Sequence, residues 1–194
     1  MAVYTKINKK DISYINKKFE IEKIISFKGI KQGIENTNYL LRSKNKKFIL
    51  TIFEKRVSQN EIPFFMKLMD QLNNSKINCP KPQKNKNGNY LVRIRKKSAC
   101  IVSFLEGKDK KLLSLKNCHE IGKMIAGMHL STKKINLFRK NSMGIKYLNP
   151  LLNSIKFKSK KFTNIEKFLK INFKDIKMKW PKKLPRGIIH GDLF

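Results

Sequence analysis

The residues Phe27-Lys28-Gly29-Ile30-Lys31-Gln32-Gly33-Ile34-Glu35-Asn36-Thr37-Asn38-Tyr39-Leu40-Leu41-Arg42 set a polar segment with two glycines between two apolar runs. Ile21 to Phe27 and Asn38 to Arg42 are apolar or β-branched runs, of the kind that favours a pleated strand. The intervening Lys28–Thr37 offers glycines where the chain must reverse, so the pattern predicts an antiparallel hairpin with a long loop.

Outward from that hairpin the same logic repeats. Phe48-Ile49-Leu50-Thr51-Ile52-Phe53 follows the polar turn Lys44-Asn45-Lys46-Lys47 and predicts a third strand. A helix is expected from about Asn60 to Asn74, because Ile62, Phe65, Met66, Met69 and Leu72 form one stripe and Pro63 sits in the first turn, where no backbone donor is lost. Tyr90–Ile94 and Ala99–Leu105, separated by Arg95-Lys96-Lys97-Ser98, predict a second hairpin. Upstream, Ile12, Ile15 and Phe19 at helical spacing, with Asn8 and Asp11 as caps, predict a short helix over 8–20.

Beyond Glu106-Gly107 the period changes. Leu115, Cys118, Ile121, Gly122, Ile125, Met128 and His129 follow a 3.6-residue repeat, which places His129 as a packed histidine on the apolar stripe. Residues 150–179 predict one or two further amphipathic helices, and Leu184–Phe194 a Pro/Gly turn entering a short strand that presents His190 and Asp192. The expected architecture is α+β in two lobes: residues 1–105 as a five-stranded antiparallel sheet with an inserted helix, and residues 106–194 as an incomplete, mainly α lobe.

Charge and composition narrow the function. The formal net charge is +32, which by itself points to a polyanion partner. Yet only six of the 45 basic residues are arginines (Arg42, Arg56, Arg93, Arg95, Arg139, Arg186), and the lysines are dispersed without interleaved aromatics. Arginine's planar fork carries most phosphate and base recognition, so a solvated lysine surface is the better reading than a nucleic-acid partner. Three widely spaced cysteines, Cys79, Cys100 and Cys118, lack the Cys-x-x-Cys spacing of a metal site and read as reduced, mostly buried thiols. No apolar run reaches membrane-spanning length and the first residues lack the apolar core of a signal peptide, so no membrane partner and a cytoplasmic location are expected. The oligomeric state is left open.

A sheet lobe, a connector, a helical lobe and a strand tip bearing His-x-Asp follow one another in the order of protein-kinase-like phosphotransferases. Ala2-Val3-Tyr4-Thr5, the Phe27–Leu41 segment, Phe48–Val57 with Glu54-Lys55-Arg56, Ile101–Gly107 and Leu184–Phe194 together resemble the homoserine kinases of the aminoglycoside-phosphotransferase/choline-kinase-like (protein-kinase-like) family, C-terminally truncated. The resemblance implies ATP and Mg2+ as cofactors, L-homoserine as the small-molecule substrate, and a place on the route to threonine. It implies that Asp192 is the catalytic base, against the plain alternative of a turn cap, and that His190 braces its loop.

It further implies that the segment from Gly29 to Asn38, with Gly33 and Asn36, folds over the nucleotide phosphates, and that the connector from Ser103 through Leu105 to Gly107 meets the adenine edge. Thr51 stands where related kinases carry a cation within the third strand. Lys55 or Arg56 is the expected substitute, with Glu61 as its partner, against the alternative of surface charge. The metal-binding positions of the family's pattern are expected beyond Phe194, which would leave this chain without a metal site and inactive as it stands. A sister kinase for another amino alcohol or an aminoglycoside, and a basic nucleic-acid-binding module, are the alternatives.

Overall fold

The computed structural model describes residues 3–55, 57–108, 110, 112–155, 163–181 and 183–192. Helix α1, Lys9–Lys18, begins at Asn8, whose side chain accepts from the Lys10 and Asp11 amides while Asp11 accepts from the Asn8 amide. That reciprocal cap satisfies donors the first turn would otherwise leave unpaired. One face of α1 buries Ile12 and Ile15, and Phe19 follows at the helix end.

The strands are β1 Ser26–Gly29, β2 Thr37–Arg42, β3 Lys47–Ile52, β4 Leu91–Ile94 and β5 Lys97–Ser103; helix α2, Ile62–Asn74, lies between β3 and β4. All pairs are antiparallel, in the order β1-β2-β3-β5-β4. The second hairpin turns through Arg95 (φ 50°) and Lys96 (φ 64°), both left-handed as a two-residue turn of matching twist requires.

Strand alternation sorts the side chains onto two faces. Tyr39, Leu41, Phe48, Leu50, Ile52, Ala99 and Ile101 form one core with Ile12, Ile15 and Phe19. Cys100 and Val102 pack with Ile62 and Met66 of α2 on the other face, and Ile49 and Phe53 join them. Tyr90 ties α2 to the start of β4, its hydroxyl donating to Asp70 at 2.7 Å.

Helix α3, Leu115–Thr132, is capped by Ser114. By contact density, residues up to Leu137 together with Ile188–Phe194 form one compact unit and Phe138–Gly187 a second. The second contains α4, Ile145–Ser154, with Pro150 inside it, and α5, Thr163–Lys179.

Four expectations change. The first strand is Ser26–Gly29 rather than 21–27, because Ile24 exchanges two hydrogen bonds with the Asn16 side chain of α1 instead of joining a ladder. Residues 184–192 form no strand, having no neighbouring strand to pair with among the described residues. His129 is exposed: the half-buried apolar side chains of α3 include Ile121, Ile125 and Met128, and His129 is rotated by about 100° from Met128. Of the cysteines, only Cys100 is buried; Cys79 is half-buried and Cys118 exposed.

Candidate functional site

The loop from β1 to β2 is built on two glycines with different reasons. At Gly29 a Cβ would meet the Val3 side chain at 3.0 Å, so the close approach of the N-terminal segment excludes a larger residue. Gly33 has φ +93°, a backbone region that side chains with a Cβ adopt only under strain. No side chain from Lys31 to Glu35 is buried.

The loop's return leg brings two asparagines to the mouth of the hairpin, two positions apart. Asn36 Oδ1 accepts from the Glu54 amide at 3.2 Å, and Asn38 Oδ1 accepts from the Thr51 hydroxyl at 2.8 Å, Asn38 and Thr51 being register partners across β2 and β3. Their oxygens are thus engaged while both Nδ2 amides remain open donors among the described residues, suited to an anionic ligand.

Thr51 occupies the third-strand position without a cation. Lys55 is exposed just past the end of β3, and Arg56 lies outside the described residues. Glu61 is the N-cap of α2 and makes no capping bond with its side chain. At the C-terminal end of β5, the Ser103 amide donates to the Lys81 carbonyl at 2.9 Å and the Phe104 amide to the Lys47 carbonyl at 3.2 Å. Leu105, 41% exposed, is the first connector residue whose amide hydrogen bonds to no other described residue.

His190 and Asp192 flank Gly191 (φ +77°), and the Asp192 amide donates to His190 Nδ1 at 3.3 Å. Both side chains are exposed. No hydrogen bond among the described residues joins them to the Gly29–Asn38 segment. Nor do three His, Cys, Asp or Glu side chains gather anywhere among the described residues to hold a metal ion.

Sequence reasoning gave no role to a cluster directly beneath the loop. Glu54, 9% exposed, accepts from Thr37 Oγ1 at 2.6 Å and Thr5 Oγ1 at 2.7 Å and pairs with the Lys97 ammonium. Thr37 Oγ1 in turn accepts from the Tyr4 and Thr5 amides at 2.9 and 3.1 Å. Burial opposes charge on Glu54, but the bonds from Lys97, Thr37 and Thr5, with the Lys97 charge, outweigh it and hold the carboxyl below its ordinary value. The available signal was an acidic residue closing an apolar strand in a chain with only 13 acids.

The profile of the phosphotransferase enzyme family (APH) matches residues 26–194. The chain is 34% identical to a protein of Parvibaculum lavamentivorans named homoserine kinase, over all of this chain and 61% of that one. It is 35% identical to a homoserine kinase of Paramagnetospirillum magneticum, over all of this chain and 60% of the relative. It therefore spans about three fifths of the length of these curated relatives. Among solved structures, spectinomycin phosphotransferase APH(9)-Ia bound to ADP and spectinomycin aligns with a TM-score of 0.55 at 12% identity, over 90% of this chain and 56% of that one. A microcompartment-associated aminopropanol kinase aligns with a TM-score of 0.57 at 15% identity, over 73% and 47%. These likenesses identify the fold as that of the kinase-like phosphotransferases, α+β with a five-stranded antiparallel sheet, as the order of elements in the sequence predicts.

Proposed function

Because the chain belongs to the phosphotransferase enzyme family, we propose that it carries the nucleotide-binding lobe and catalytic loop of an ATP-dependent kinase that phosphorylates the side-chain hydroxyl of L-homoserine, giving O-phosphohomoserine on the route to threonine. The observation that carries this reading is the similarity to proteins named homoserine kinase along the chain's entire length. Residues 1–105 act as the nucleotide lobe and 106–194 as the first part of the helical lobe.

In this reading the open amides of Asn36 and Asn38, with the backbone around Gly29 and Gly33, meet the phosphate oxygens, since amide donors in a glycine-bearing turn complement negative charge. Lys55 or Arg56 supplies the cation that Thr51 does not, with Glu61 as its partner. The Leu105 amide, beyond Ser103, meets the adenine edge. Asp192 orients the homoserine hydroxyl and takes its proton as the oxygen bonds to the γ-phosphorus and the bond to the ADP oxygen breaks. His190 holds that loop through the Asp192 amide. ATP brings Mg2+ as its usual companion. No helix among the described residues is long and apolar enough to cross a membrane, and we assign the kinase to the cytoplasm.

The test is a competition among acceptors. Protein translated from the whole reading frame that contains this sequence is incubated with ATP and an equimolar mixture of L-homoserine, choline, an aminopropanol and an aminoglycoside, and products are resolved by mass spectrometry. Phosphohomoserine is the expected dominant product; preferential phosphorylation of another alcohol would replace the substrate while keeping the reaction class.

A further inference from the structure

The N-terminal segment Val3–Thr5 runs along the base of the Gly29–Asn38 loop and touches it at both ends and near its tip. Val3 packs on Gly29, and the Tyr4 hydroxyl donates to the Ile34 carbonyl at 2.9 Å. The Tyr4 and Thr5 amides both donate to Thr37 Oγ1, where β2 begins. Glu54 gathers these contacts: its carboxylate accepts from Thr5 and Thr37, while its amide donates to Asn36 Oδ1. Lys97, at the start of β5, anchors the cluster through Glu54 and through Thr5 Oγ1 at 2.8 Å. The loop itself has no buried side chain from Lys31 to Glu35, and Ile34 is 82% exposed. Its conformation is therefore set from outside, by the N-terminal segment and Glu54, rather than by its own packing.

We propose that Tyr4 and Glu54 are positioning residues for the nucleotide: the first holds the loop tip, and the second holds Asn36 and the start of β2 so that the asparagine amides stand where phosphate oxygens bind. This rests on the reading of Gly29–Asn38 as the phosphate loop. Two stretches of the chain that the phosphotransfer reading leaves without a task, Val3-Tyr4-Thr5 and Glu54, acquire one together. The arrangement is physically apt, because a loop already fixed in its bound geometry does not lose that freedom when ligand arrives. Tyr4 is 55% exposed, so its hydroxyl tethers the loop without being needed to fill a core.

The experiment uses the whole chain and the fluorescent nucleotide mant-ADP with magnesium chloride, comparing wild type, Tyr4→Phe and Glu54→Gln. Binding is titrated, hydrogen exchange of a peptide covering 30–38 is followed by mass spectrometry, and thermal midpoints are recorded. The expected result for Tyr4→Phe is faster exchange in that peptide and a mant-ADP Kd raised about two- to tenfold, the effect of losing one tether, at an unchanged thermal midpoint. Glu54→Gln is expected to shift both readouts further. Faster exchange with unchanged nucleotide affinity would overturn the positioning role and leave the phosphate-loop reading standing. Unchanged exchange in Tyr4→Phe would overturn the tether itself. Absence of mant-ADP binding by the wild type would bring down the phosphate-loop reading, and this inference with it.

Discussion

Glu54 is a carboxylate with 9% of its side chain exposed, yet it stays charged because three donors converge on it. The ordinary value for its carboxyl is 4.5 and the folded value is lower, with burial opposing and the bonds from Lys97, Thr37 and Thr5 prevailing. A group whose folded pKa is depressed adds stability above its unfolded pKa and gives it up as pH falls through the folded one. Wild-type stability is therefore expected to drop below about pH 4.5, and Glu54→Gln, which has no proton to take up, to show a shallower fall over the same range; urea unfolding at pH 6, 4.5 and 3.5 measures both slopes. Identical slopes would mean that the Glu54 carboxyl has the same pKa folded and unfolded, so that its buried bonds do not favour the charged form. This residue was illegible in the sequence because its partners lie 17, 43 and 49 positions away. Gly33 was legible for the opposite reason, since its positive φ is a local demand that glycine alone meets without strain.

Helix α1 shows how an element divides its stability between cap and core. Asn8 closes both halves of the capping box on the exposed side, whereas Ile15 has no exposed surface. Asn8→Ala is expected to cost about 1 kcal/mol, and Ile15→Ala about 2–5 kcal/mol, because a cavity is left beneath β2 and β3 as well as a lost transfer term. Chemical denaturation of the two variants checks the order; equal costs would contradict it.

At this scale the strands from β2 to β5 were legible, since apolar runs bounded by polar turns specify them locally. The start of β1 was not: Ile24 looks like a strand residue but is held instead by α1, through the Asn16 side-chain amide. Periodicity reports that a side chain is buried, not what buries it. His129 fails for a related reason, the buried stripe of α3 being narrower than its apolar spacing suggests.

Across the molecule, 45 basic residues against 13 acidic ones leave the acids scarce, and the structure concentrates several of them at joints: Glu54 under the loop, Asp11 on Arg95, Asp70 on Tyr90. Large apolar side chains are exposed within both compact units, including Leu112, Leu115 and Ile189 in one and Phe138, Met143 and Met178 in the other. The fold class was readable because the passage from a run of strands to a run of helices is written in a change of hydrophobic period. The candidate site was readable only where single residues face local constraints, and the bracing beneath it required the three-dimensional arrangement.

The most direct test of Asp192 as the catalytic base is the rate of ADP release with ATP and L-homoserine for wild type and Asp192→Asn, using protein translated from the whole reading frame. Loss of proton acceptance at that position is expected to lower kcat by about 10²–10⁴-fold while the KM for ATP stays near the wild-type value, since Asp192 acts on the hydroxyl and not on the nucleotide. A wild type that transfers phosphate to homoserine and an Asp192→Asn variant that does so at the same rate would contradict the assignment.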